Sequence, residues 1–205
     1  MPIRLLFLLL VLIAGSWAPG SFVAPASAAK NGPTALDCEA MPCAEVMPTA
    51  SRFRPVEGGK HWEGLDEGGD VVGWLALSTD FVDLKAYSGK PLITLVGLDP
   101  DGLITGAKVV HHSEPILLVG IPEKALTDFV DFYAGQRALQ RIVVGRADKP
   151  DVVSVDGISG ATVTALVQNI TVLDTARAVG TDVGVFAAGS MTSGHFVEDT
   201  EPWSF

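Results

Sequence analysis

Seven residues, Asp156-Gly157-Ile158-Ser159-Gly160-Ala161-Thr162, restrict this chain more than any others. They lie between a β-branched run at 152–155 and a helical apolar pattern at 161–179, so the backbone must pass from strand to helix within them. That places a threonine hydroxyl in the first turn of a helix, behind a Ser-Gly-Ala turn. The first N–H groups of a helix have no intrahelical partner, and the helix dipole is positive there. A phosphate is favoured at such a place. A hydroxyl there can carry a phosphate ester while the backbone meets its charge.

The rest of the chain reads as strands, helix, strands, helix. Residues 71–78 form a strand pattern carrying Trp74, and 92–98 and 103–111 form two more. Asp99-Pro100-Asp101-Gly102 joins the latter two as a turn: Pro presets φ, and Gly accepts a positive one. An antiparallel hairpin is expected. Residues 122–135 read as a helix opened by Pro122 and Glu123 and stopped by Gly135, with Ala125, Phe129, Phe132 and Tyr133 on its apolar side. Short strands are expected at 140–144 and 152–155. The last helix, 161–179, is expected to bury Ala161, Leu166, Ile170, Leu173 and Ala176. The sum is an α+β domain on a mainly antiparallel sheet with two main helices.

Residues 1–28 have the form of a signal peptide: Arg4, an apolar run at 5–14, then Ala26-Ser27-Ala28 as a small-residue cleavage site. Export to the periplasm is the expectation. Residues 29–70 read as an exported arm, with Gly-rich loop or hairpin ends from 52 onward. Residues 71–180 form the main domain, and 181–205 a small, polar tail. The formal net charge of −10 excludes a nucleic-acid partner, whose phosphates it would repel.

Cys38 and Cys43 sit in the arm with Met41 and Met47. In an oxidising compartment a disulfide is the default for such a pair. Thiolates and thioethers together also suit Cu(I), so a flavin-free, copper-handling module that docks on a copper reductase is the competing function.

The seven-residue run resembles the Asp-x-x-Ser/Thr-Gly-Ala-Thr signature of proteins that carry covalent FMN. Around it, Ser88-Gly89-Lys90-Pro91, Val96-Gly97-Leu98-Asp99-Pro100-Asp101-Gly102, Ile104-Thr105-Gly106-Ala107, the stretch from His111 to Ile116, and Gly120-Ile121-Pro122-Glu123 resemble the periplasmic FMN-binding domain of NosR/NirI-type proteins. Flavin subunits of Na⁺-pumping quinone reductases and Rnf complexes share that domain. The resemblance implies an electron-transfer component rather than a stand-alone enzyme. It also implies a flavin transferase that esterifies FMN to Thr162, a membrane electron donor, and support of a periplasmic copper reductase, nitrous oxide reductase. NosR-like proteins continue into membrane helices and cysteine clusters, which this sequence lacks; a truncated or stand-alone relative is expected.

Carried over residue by residue, Thr162 is the acceptor, Asp156 the motif acid, and Ser159, Gly160 and Ala161 the turn. Asp156 has three readings: a handle for the transferase, a base for the threonine, or merely a strand end. Ser159 is expected to cap the helix. Thr164 is the rival acceptor, but two residues along a helix is roughly 200°; the family register selects Thr162. His112 and Glu114 are candidates for the flavin pocket, with a solvent-facing position as the alternative. No metal site is expected there, because the adjacent His111 and His112 point to opposite faces of a strand. His61 and His195 read as surface residues. Trp74 and Tyr87 either stack on a flavin or sit in the core, the commoner place for aromatics in or beside strands. The Gly-x-Ser-x-Gly elbow of serine hydrolases is missed by one position.

Overall fold

The computed structural model describes residues 32–147 and 149–187. The expected signal peptide, most of the tail and His195 lie outside them. A five-stranded antiparallel sheet carries the fold, in the order β1 (Arg52–Pro55), β2 (His61–Leu65), β3 (Val71–Leu77), β4 (Ile93–Leu98), β5 (Ile104–His111). The chain is thus α+β on a mainly antiparallel sheet. The hairpin at 99–102 forms, and Asp99 closes it by accepting the N–H groups of Asp101 and Leu103 at 2.9 and 2.8 Å. Residues 52–65, expected as loop or hairpin ends, form two strands instead: β1 pairs with β2, and β2 pairs with β3. The boundary expected at residue 70 therefore falls inside a continuous sheet. A period-2 pattern is faint in these strands because β1 is an edge exposed along most of its length.

Both faces of β4 are covered, so every residue of it is buried, the polar Thr94 included. Ile93 and Leu95 face one core with Leu75 and Leu77, while Val96 and Leu98 face the other. The first core is closed by the N-terminal arm and its short helix α1 (Cys43–Val46). Here Cys38 and Cys43 form a disulfide, and Met47 is buried with no exposed surface. The disulfide leaves no thiolate for Cu(I), and Met47 lies inside the core, so the arm does not present the expected ligand set.

The second core lies under α3 (Glu123–Asp131) and α4 (Thr162–Asp182). A short helix α2 (Pro115–Val119) leads into α3, and a small parallel pair, β6 (Ile142–Val144) and β7 (Val153–Val155), leads into α4. Helix α4 buries Ala161, Leu173 and Ala176 as its apolar pattern suggested, but leaves Ile170 only half-buried. Leu166 is 44% exposed, whereas Thr164, Gln168, Asn169, Thr171 and Thr175 are buried. The small residues Ala161, Ala165 and Ala176 face inward, and among the polar side chains Thr164, Gln168, Asn169 and Thr175 are hydrogen bonded. Gln168 Nε2 donates to Thr94 Oγ1 of β4 at 3.0 Å, and Thr175 donates to the Thr171 carbonyl at 2.6 Å. A helix can rotate polar residues inward when each finds a partner there.

Candidate functional site

A cleft of about 650 Å³ lies between α3 and the turn that joins β7 to α4. One wall is Ile121, Phe129 and Phe132; the other is the backbone run from Val155 to Ser159, which includes Asp156. Apolar walls with few polar groups suit a planar organic ligand, and the volume is within the usual range for ligand sites.

The aromatic wall is held from behind. The buried ring of Tyr133 meets Phe129 and Phe132 edge-on, with centroids 5.9 and 5.5 Å away. Its hydroxyl donates to Asn169 Oδ1 of α4 at 2.7 Å, and Asn169 Nδ2 donates to the Ile142 carbonyl at 3.1 Å. One buried chain of bonds therefore joins the α3 wall to α4 and β6. Burial holds the Tyr133 phenol well above its ordinary pKa.

The turn opposite is built by local rules. The Ala161 N–H donates to the Ile158 carbonyl at 2.9 Å, so Ser159 and Gly160 occupy the two central positions of a β-turn. Gly160 has φ +80°, which the third position of a type II turn requires. Ile158 and Ala161 are buried and anchor this turn, while Asp156, Ser159, Gly160 and Thr162 are exposed. Ser159 therefore stands at the corner of the turn and is not the helix cap. The cap position is Ala161, and no side chain bonds to it. Helix α4 opens with Thr162 exposed and its first N–H groups uncapped. Its first turn holds no acidic residue.

Of the two threonines, only Thr162 is free. Thr164 is 1% exposed, and its hydroxyl donates to Glu114 Oε2 at 2.6 Å. Glu114 has no exposed surface, and its Oε1 accepts the Ser88 N–H at 2.9 Å. Glu114 is thus neither on the cleft wall nor in solvent, the two positions expected for it. His112 also stays off the cleft wall. Its Nδ1 accepts the Glu114 N–H at a long 3.4 Å, and its Nε2 lies 3.8 Å from Glu123 Oε1. Among the described residues no group of three His, Cys, Asp or Glu side chains could hold a metal ion.

Other positions also differ from expectation. His61 is buried, with Nδ1 3.1 Å from Asp182 Oδ2, rather than a surface residue. Trp74 is half-buried against the core, but Tyr87 is 70% exposed, which removes the core reading for it. Sequence reasoning missed Ile121, Phe129 and Phe132 as a cleft wall. Sequence periodicity places the two phenylalanines on one apolar face of a helix, and periodicity alone does not separate a core face from a wall.

The chain matches known proteins over this same region. Residues 87–172 match the family model described as FMN-binding domain. The chain is 41% identical over 157 residues to "Regulatory protein NosR" of Pseudomonas aeruginosa, covering 77% of this chain and 22% of that protein. It is 33% identical over 196 residues to "Protein NirI" of Paracoccus denitrificans, covering 92% of this chain and 25% of that protein. The chain therefore spans about a quarter or less of the length of these relatives. The crystal structure of Shewanella oneidensis NqrC aligns over 69% of this chain and 74% of that one, at 17% identity and a TM-score of 0.37. Among the described residues no helix is long and apolar enough to cross a membrane.

Proposed function

Residues 87–172 are a domain of the FMN-binding family, in a chain similar to parts of NosR and NirI, and on that footing we propose that the protein is an exported electron-transfer flavoprotein carrying FMN as a phosphoester on Thr162. Most support for this comes from the contrast between the two threonines: Thr162 is exposed at an uncapped helix start, while Thr164 is buried and bonded to Glu114. The free N–H groups of that first turn suit a phosphate. The cleft of about 650 Å³ reaches Ser159, three residues before Thr162, and its wall of Ile121, Phe129 and Phe132 suits a flavin ring.

The attachment belongs to a flavin transferase. It would join Thr162 Oγ1 to the FMN phosphorus of FAD, with AMP leaving and the hydroxyl proton passing to a base. Asp156, exposed beside the cleft, serves that transferase as recognition acid or as base. Bound FMN would supply one- and two-electron transfer. The chain would hold its phosphate at α4 and shield part of its ring against α3. By likeness to NosR, electrons would pass in the periplasm from a membrane donor towards a nitrous oxide reductase.

The test is intact mass and in-gel flavin fluorescence of protein exported beside an active flavin transferase, with a Thr162→Ala control. A fluorescent band, heavier by FMN less one water and absent from the control, bears out the reading. A dark band at the unmodified mass overturns it.

A further inference from the structure

Helix α4 begins without a cap of its own. Ala161 is in the cap position, no side chain bonds there, and the first turn has no acidic residue. Something else must hold the start of this helix in place. The structure offers one carboxylate for this. Glu114, fully buried, takes the Thr164 hydroxyl on one oxygen at 2.6 Å and the Ser88 N–H on the other at 2.9 Å. Thr164 is the third residue of α4, Glu114 directly precedes α2, and Ser88 belongs to the loop between β3 and β4. Three segments distant in sequence therefore meet on one side chain. A carboxylate beside a helix N-terminus also faces the positive end of the helix dipole.

We propose that Glu114 is a positioning residue: through Thr164 it fixes the first turn of α4, and with it the direction in which Thr162 presents its hydroxyl. This rests on the reading of Thr162 as the flavin acceptor, and it gives Glu114 a role that is not contact with the flavin. Geometry supplies the reason. Thr162 and Thr164 are two residues apart on one helix, so a turn pinned at Thr164 leaves Thr162 a single outward direction. Without the pin, an uncapped first turn frays, and the acceptor oxygen loses its fixed place. A reacting oxygen displaced by an ångström loses on the order of 100-fold in rate.

The variants are Glu114→Ala, Glu114→Gln and Thr164→Val. Gln keeps the length and one acceptor oxygen, and Val keeps the shape of Thr without its hydroxyl. Two readouts are taken on the whole chain. The first is amide hydrogen exchange of the unflavinylated protein, with Ala165 and Leu166 compared against residues 172–179 of the same helix. The second is the rate of FMN attachment by intact mass, at a temperature where circular dichroism shows each variant folded. Glu114→Ala and Thr164→Val are expected to raise exchange at Ala165 and Leu166 by ~10-fold or more beyond any rise at 172–179, which reports the loss of global stability. They are also expected to slow attachment by ~10-fold or more, and Glu114→Gln to recover part of both.

Exchange unchanged at the helix start overturns the proposal. So does exchange raised equally along the whole helix, which marks a general loss of stability. Attachment that falls only in step with the unfolded fraction also overturns it. Should Glu114→Ala fail to fold, Thr164→Val carries the same comparison. A wild-type chain that takes no FMN overturns the flavin reading; the exchange pattern then still decides whether Glu114 pins the turn.

Discussion

Gly97 of β4 and Gly106 of β5 are register partners, and Val46 of the disulfide-tied arm fills the hollow they leave. A Cβ on Gly106 would stand 2.8 Å from the Val46 carbonyl oxygen and 3.2 Å from its Cα. Those are backbone atoms, which cannot swing aside. Gly106→Ala is therefore expected to lift the arm from the sheet and cost about 1–3 kcal/mol. Urea denaturation measures this, and an unchanged midpoint would show that the arm is not seated as described.

The Cys38–Cys43 disulfide spans five residues of sequence. Closing so short a loop restricts the unfolded chain only modestly, by about 2 kcal/mol in the chain-entropy account. Replacing both cysteines with Ser should lower stability by about that amount and leave the fold intact, since α1 is also held by Val46 and Met47 in the core. Equilibrium unfolding of the double variant checks this. A chain that fails to fold would mean the arm depends on the bridge far more than its buried side chains suggest.

The two threonines of α4 should respond very differently to substitution. Thr162→Ala removes an exposed hydroxyl at the first helical position, where alanine is a better helix former, so stability should move by under about 0.5 kcal/mol. Thr164→Val leaves Glu114 Oε2 buried without its donor and should cost about 1–3 kcal/mol. Denaturation of the flavin-free proteins compares them directly. Equal losses would contradict the difference in burial.

Tyr133→Phe removes the donor to Asn169 Oδ1 and should cost about 1–2 kcal/mol. It should also change the alkaline limb of stability. Burial raises the folded pKa of Tyr133 above the unfolded value of about 10. The folded state thus holds the phenolic proton where the unfolded state has lost it. The stabilisation is complete below about pH 10 and is lost as pH rises from there through the folded pKa. The wild type should lose stability across that window. The Phe variant should lack this component, as Tm against pH would show. Parallel curves for the two proteins would mean that Tyr133 is hydrated in the folded state.

Much of the frame was legible in the sequence because its signals are short-range. The hairpin at 99–102 needs only Asp99 and the turn residues that follow it. Helix α3 lies within the expected 122–135. The inward face of α4 was legible only in part: Ala161, Leu173 and Ala176 are buried as expected, but its polar residues were not foreseen. Its buried Thr164 and Gln168 are tolerable only because Glu114 and Thr94 reach them from other elements. The inward face mixes alanines, Val172, Leu173 and Val179 with buried polar residues, so the helix carries almost no amphipathic signature. The cleft was missed for a related reason, since Phe129 and Phe132 became a wall only when α3 was set opposite the 155–159 run.

The sequence by itself determined the strand, the turn and the helix around Asp156 and Thr162. Glycine's freedom at φ +80° and the helical period act within a few residues of the chain. Tertiary structure decided which threonine is free. That choice depends on Glu114, a carboxylate 50 residues from Thr164 in sequence; the fold buries the two together, and a buried polar group is costly unless it is hydrogen bonded.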